Sequence, residues 1–356
     1  MVRVVLLCLL PILLIGARAN SPGPPMGAVL IAPTFGDWTR EQLPVVWTAR
    51  FTVVKVHIPA GFQTGPELVE QALRPPVRTV ILRSEDCIRT PEEVWRDLVD
   101  RGYWGLMARR PDIRWAVEVG NEPDLSCPGM TPERFYVLSR DLGNGLQTVR
   151  ERAELILSLP VEPIIADLVL KSDSVLGLYD GLGVHIYGHR EITDSERDQT
   201  LLRQALATGK PVWITEAGIN DPAMDKVEKA RRIQSWAQKL PGQVQAVVLF
   251  TIGQGTEWPQ YEIDLRMAAQ LGNCRWFPET EMPLCPPFRA YWERIGLPVL
   301  GFPITPPVWE GGRLVQYTER TVLEWHPEAP SGWEVQLRRL GTEAAQRAGF
   351  RGAGIP

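Results

Sequence analysis

The feature that most constrains this chain is an eightfold alternation. Short runs of β-branched and apolar residues recur at 28–32, 51–57, 77–83, 115–119, 163–168, 182–187, 211–215 and 245–251. Each is followed by polar or Gly/Pro punctuation and then by a helix-like pattern. The run Ala-Val-Val-Leu-Phe at 246–250 has no polar face, which suits strands covered on both sides, as in a parallel sheet. Between the runs, Thr131-Pro132-Glu133 reads as an N-cap, a proline at the first helical position and an acid in the first turn. Phe135, Leu138 and Leu142 continue that helix, and Val227, Ala230, Ile233, Ala237 and Leu240 mark another over 225–240. Strand–helix alternation implies right-handed crossovers and a parallel sheet. No GxGxxG follows the first strand, so the pattern predicts an α/β fold of the closed (β/α)8 TIM-barrel kind rather than a doubly wound sheet.

A barrel takes about 250 residues, and the chain has 356. The remainder is divided between the two ends. Residues 1–19 carry Arg3, an apolar run and Ala17-Arg18-Ala19, the form of a signal peptide whose core is too short to span a bilayer. A spacer at 20–27 precedes the barrel, placed at 28–298, and a small β-rich segment follows at 299–356. In the tail the strand-like runs are 313–320, 321–325 and 333–340. Segment 273–288 reads as a disulfide-tied loop and 289–295 as the last barrel helix. No later stretch is apolar enough for stable membrane insertion, so the expected location is outside the cell or in its envelope. A formal charge of −4 argues against a nucleic-acid partner, because phosphate binding relies on clustered Lys and Arg.

Two strands end on glutamate. The fourth runs through Val119-Gly120-Asn121-Glu122-Pro123 and the seventh through Ile214-Thr215-Glu216-Ala217-Gly218. Parallel barrels carry their chemistry at the carboxyl ends of the strands, so both carboxyls should face one cavity. Such a pair is what glycosidic bond cleavage requires: one carboxyl protonates the leaving oxygen and the other attacks the anomeric carbon.

Asn-Glu-Pro ending strand four and Thr-Glu-Ala-Gly ending strand seven resemble the clan A retaining glycoside hydrolases over residues 28–265. The resemblance implies a carbohydrate substrate, with Glu122 as acid/base, Glu216 as nucleophile and Asn121 bonding the sugar 2-hydroxyl. It further implies that His185 and Tyr187, alternating at the end of strand six, orient the nucleophile and contact sugar. Arg83 resembles a strand-end arginine that supports the nucleophile in relatives, although it stands on strand three rather than earlier. Trp258 after strand eight, Trp38 after strand one and His57 ending strand two are further candidates for substrate binding. No cofactor or metal is implied: the chain has four histidines and no HExxH spacing. The competing reading is a non-catalytic carbohydrate-binding or cell-envelope protein on the same barrel, since fold does not decide function.

Beyond the leader, Cys87, Cys127, Cys274 and Cys285 remain. An even number in an exported chain reads as two disulfides. Cys87 and Cys127 follow the ends of neighbouring strands, and Cys274 and Cys285 enclose a short loop. Those are the expected pairs.

Overall fold

The computed structural model describes residues 23–30, 38–59, 64–84, 87, 90–253 and 258–349. The expected leader, residues 20–22 of the spacer and residues 350–356 lie outside the described residues.

Eight parallel strands close into a barrel in sequence order: β1 (Met26–Leu30), β2 (Val53–His57), β3 (Thr79–Arg83), β4 (Arg114–Val119), β5 (Glu154–Ser158), β6 (Gly181–Gly188), β7 (Val212–Ile219) and β8 (Val244–Ile252). β1 pairs with both β2 and β8, so the sheet has no edge. Val29, Val53, Ile81, Ala116, Ile156, Trp213, Ala246 and Val248 fill the interior. Outward-facing strand residues such as Val54, Leu82, Val117 and Val247 join the helices in the larger outer core. Trp213 is accommodated by Gly181, where a Cβ would come within 2.8 Å of the indole. Below it, the Arg114 guanidinium lies 4.5 Å from the indole centroid and pairs with Glu154. This end of the barrel is plugged, which leaves the carboxyl end for a site.

Strand five is not where the apolar pattern suggested. Residues 163–168 belong to the helix Pro163–Leu170, and the strand is Glu154–Ser158. An unbroken apolar run cannot distinguish a buried strand from a buried helix by period. Pro163 decides for helix, because its ring fits the first helical position and would remove a ladder hydrogen bond from a strand. The helices at 132 and 226 form as expected, over Pro132–Gly145 and Lys226–Ala237. Thr131 caps the first, accepting from the Arg134 N–H, and Asp225 caps the second, accepting from Val227 and Glu228.

The end of the barrel also differs. The helix after β8 is Leu265–Leu271, which buries Met267 and Ala268 in the outer core. The helix expected at 289–295, observed as Phe288–Ile295, instead turns Phe288 and Trp292 into a separate apolar cluster with Phe277, Leu284, Leu300, Leu314 and Leu323. The expected loop at 273–288 is a hairpin, β9 (Arg275–Phe277) against β10 (Met282–Leu284), and Cys274–Cys285 closes its open end. The tail forms a four-stranded antiparallel sheet from β11 (Val308–Glu310), β12 (Arg313–Tyr317), β13 (Val322–Trp325) and β14 (Val335–Leu337). Part of the run expected as strand at 333–340 instead starts a closing helix, Leu340–Arg347.

Candidate active site

Glu122 stands where β4 gives way to a loop. Gly120 takes φ 82°, and Glu122 itself lies in the left-handed region at φ 41°. For a residue with a Cβ that conformation costs on the order of 1–3 kcal/mol and is typical of functional turns. Ties to both sides of the loop maintain it. Pro123–Ser126 makes one helical turn, Ser126 Oγ donates to the Asn121 carbonyl at 2.6 Å, and Cys127 is bridged to Cys87 after β3. On the other side, Asp124 accepts the N–H groups of Val161 and Glu162, both at 2.8 Å. The loop bearing Glu122 is therefore anchored to both neighbouring loops.

Glu216 reaches the cavity through a bulge. The β6–β7 register pairs Val184 with Ile214 but His185 with Glu216, leaving Thr215 as the extra residue. Before the bulge, Trp213 points inward and Ile214 outward; after it, Ala217 points outward. A regular strand would have put Glu216 among the helices. The bulge turns it inward, a common use of such irregularities beside active sites.

Inside, the two glutamates share one imidazole. His185 Nδ1 lies 2.8 Å from Glu122 Oε1 and 3.7 Å from Glu216 Oε2. Through that shared atom these two carboxylate oxygens are at most about 6.5 Å apart. Tyr187 donates its hydroxyl to Glu216 Oε2 at 2.7 Å, and Lys55 Nζ donates to Glu216 Oε1 at 2.9 Å. The same ammonium stands 2.7 Å from Glu118 Oε2. Arg83 and His57 occupy the same layer of the barrel, paired across β2 and β3, with Arg83 Nη1 2.8 Å from His57 Nε2.

The charges follow from these neighbours. Burial alone would raise the Glu216 carboxyl, but His185, Lys55 and Arg83 outweigh it and hold Glu216 far below the usual carboxylate range. Burial opposes the charged form of Glu122 too, yet its hydrogen bond to His185 lowers it overall. His185 is raised: burial works against its cation, and Glu216 and Glu122 overcome it. His57 is driven well below the ordinary histidine value by burial and by Arg83 and Lys55, so it is neutral. These directions favour the ionised form of Glu122 and Glu216 and a proton on the imidazole between them.

No protein-family model and no curated protein matches the chain. In structure it is similar to a GH30 endoxylanase from Clostridium papyrosolvens, 13% identical over 85% of this chain and 81% of that one, with a TM-score of 0.49. It is also similar to a β-mannanase from Streptomyces thermolilacinus, 16% identical over 70% and 87%, TM-score 0.47. What the chain has in common with them is the fold, a closed barrel of eight parallel strands with helices between them. What each residue does rests on the geometry of this site.

Of the residues singled out in the sequence, Glu122, Glu216, His185, Tyr187, Arg83 and His57 come together at one end of the barrel. Asn121 adjoins them, with its Oδ1 buried and without a hydrogen-bond partner among the described residues. Trp258 is 43% exposed and packs edge-on against Phe250, 5.4 Å between centroids. Phe250 and Tyr261 in turn contact Tyr187, which makes an aromatic wall on the β8 side. Trp38 does not join the site. It is 3% exposed and belongs to the outer core, at the start of the short helix Trp38–Gln42, so its ring offers no face to a sugar.

Sequence reasoning does not single out Lys55 and Glu118. Each stands in a strand two to four residues before a candidate residue, Lys55 before His57 and Glu118 before Glu122. The signal was available: strand periodicity puts positions two and four residues apart on one face, and a charged residue inside an apolar strand needs a partner.

Proposed function

We propose that this chain is an exported retaining glycoside hydrolase that cleaves a β-linked glycan or glycoconjugate by double displacement. The observation that carries the proposal is the asymmetric carboxylate pair at the barrel mouth. Retaining enzymes separate their carboxyls by about 5–5.5 Å and inverting ones by about 6.5–9.5 Å. Glu122 Oε1 and Glu216 Oε2 are at most about 6.5 Å apart, no farther than the short end of the inverting range, and the reading of retention rests on this together with the ionised Glu216 held by Lys55 and Tyr187, as a nucleophile requires.

Glu216, ionised and held by Lys55 and Tyr187, is the nucleophile. It attacks the anomeric carbon as the glycosidic bond breaks, and the bonding pair leaves with the departing oxygen. Glu122 protonates that oxygen. Its proton comes from the pair it forms with His185, across 2.8 Å. Water then enters, Glu122 takes its proton as general base, and the ester bond breaks with its electron pair returning to Glu216. Asn121 bonds the sugar 2-hydroxyl, and Trp258 with Phe250 and Tyr261 flanks the sugar face. Export is supported by the signal-like pattern at 1–19 and by two disulfides in the fold, which need an oxidising compartment.

The test is a panel of aryl β-glycosides and polysaccharides with wild type, Glu216→Ala and Glu122→Ala. Glu216→Ala should be inactive and regain activity with azide, giving inverted product. Glu122→Ala should retain its first step on activated leaving groups and lose roughly 10²–10⁴-fold on poor ones. Binding of a glycan with no turnover of any substrate would favour the carbohydrate-binding alternative.

A further inference from the structure

Lys55 and Glu118 are both fully buried, and neither takes part in the two bond-making steps of double displacement. Yet they occupy the floor of the site. Lys55 Nζ lies between Glu118 Oε2, at 2.7 Å, and Glu216 Oε1, at 2.9 Å. The other Glu118 oxygen is 4.0 Å from His185 Nε2. The barrel wall is shaped for this carboxylate: a Cβ on Gly183 of β6 would fall 2.8 Å from Glu118 Oε1. Charged residues are costly in a barrel interior unless each has a partner, so the number of charges here matters. One ammonium faces two carboxylates.

We propose that Glu118 is a standing counter-charge for Lys55, and that the pair tunes how the enzyme divides its barrier between forming and breaking the glycosyl-enzyme. This inference rests on the reading of Glu216 as nucleophile. In the first step Glu216 passes from carboxylate to ester, forming the bond to the anomeric carbon, and its negative charge disappears. The leaving oxygen takes the bonding pair and the proton of the Glu122–His185 pair, so Glu122 ends the step as a carboxylate beside a neutral imidazole. Lys55 would then be a buried cation facing an uncharged ester. Glu118 keeps it paired. In the second step water attacks, its proton goes to Glu122, the ester electrons return to Glu216, and Lys55 again lies between two carboxylates.

Without the Glu118 charge, Lys55 would bind the free Glu216 carboxylate more tightly and the ester state would hold an unpaired cation. Both effects raise the barrier to forming the intermediate, and both favour its breakdown. Glu118 is therefore a positioning residue with opposite effects on the two half-reactions. A merely structural residue would slow both.

The experiment uses the full-length protein and the 2,4-dinitrophenyl β-glycoside of whichever of xylose, mannose or glucose the wild type hydrolyses. The matching 2-deoxy-2-fluoro glycoside traps the intermediate, and peptide mass spectrometry locates the label. Glu118→Gln is expected to lower kcat/KM, which reports formation, by roughly tenfold or more, the equivalent of about 1.4 kcal/mol of barrier. The pre-steady-state burst should vanish, and reactivation of the trapped enzyme should proceed at least as fast as in wild type. If Glu118→Gln does not accumulate as folded protein, Glu118→Asp makes the same comparison, because it keeps the charge but withdraws it from Lys55. Its formation rate should fall less and its breakdown rate should again not fall. Equal slowing of both steps, with Glu216 labelled in the wild type, overturns this inference and leaves the nucleophile assignment intact. A wild-type label on a residue other than Glu216 overturns both.

Discussion

His185 Nδ1 lies 2.8 Å from Glu122 Oε1, close enough for the two groups to hold one proton between them. The same nitrogen is 3.7 Å from Glu216 Oε2. The carboxylates thus differ in what surrounds them. Glu216 is buried among His185, Lys55 and Arg83 and accepts the Tyr187 hydroxyl, whereas Glu122 is more open to solvent and is hydrogen-bonded to the imidazole. A pair of carboxyls with environments this different can divide the roles of nucleophile and acid.

The proton on this pair sets the basic limb of the pH profile. His185 is raised above its ordinary value of 6.5 by Glu216 and Glu122 against the effect of burial, so the pair keeps its proton past that pH and loses it as pH rises further. The basic limb of kcat/KM should fall above about 6.5 in the wild type. In His185→Asn the limb belongs to the Glu122 carboxyl alone and should move to lower pH. An unmoved limb would mean that His185 does not supply the proton.

Stability should respond to the same charges. Glu216 is depressed from 4.5, so its contribution is complete above that pH and is lost as pH falls. His185 is raised from 6.5, so its contribution is complete below that pH and is lost as pH rises through the folded value. Both are present together between about 4.5 and 6.5, where thermal melts should show the highest Tm. In Glu216→Gln the acid side of that maximum should flatten. If the acid side is as steep as in wild type, other carboxylates control it.

The ties around Glu122 are expected to matter for rate more than for binding. Asp124→Ala removes the acceptor of the Val161 and Glu162 N–H groups and loosens the loop behind the acid/base. A loss of about 1–3 kcal/mol in stability is expected, with kcat reduced several-fold and KM nearly unchanged. Breaking Cys87–Cys127 by Cys127→Ser should act in the same direction. If kcat holds while Tm drops, the ties serve the fold alone.

Two glycines of β6 offer a paired comparison. Gly181→Ala would press on Trp213 at 2.8 Å, deep in the plugged end, and Gly183→Ala would press on Glu118 Oε1 at 2.8 Å. Each should cost about 1–3 kcal/mol of stability as overpacking. Only Gly183→Ala should also lower kcat/KM, because only it displaces a group in contact with Lys55. Equal losses of activity per degree of Tm in the two variants would contradict this separation.

Much of this was legible along the chain, for a local reason. The barrel is written in alternation and punctuation, which depend on near neighbours. Asn121-Glu122-Pro123 and Thr215-Glu216-Ala217 also stand out as short motifs at strand ends. Strand five was not legible, because an apolar run at 163–168 satisfies helix and strand periods alike until its partners are known. Trp38 read as a loop residue only because nothing in the sequence says that it packs into the outer core.

What tertiary structure alone decided is which way the charges face and what they meet. Strand period, counted from Trp213, would send Glu216 outward. The bulge at Thr215 reverses it, and a bulge is a property of the register between two strands rather than of either one. Lys55 and Glu118 are 63 residues apart in number, and Glu216 lies 161 residues from Lys55. Their joining depends on the closure of eight strands, which places β2, β4 and β7 around a single interior. The sequence by itself determined the barrel and the positions at which carboxylates stand, because hydrophobic period and turn chemistry act locally. The charge balance that would make one of them a nucleophile came only from the folded interior, where burial removes water and leaves each ion dependent on its neighbours.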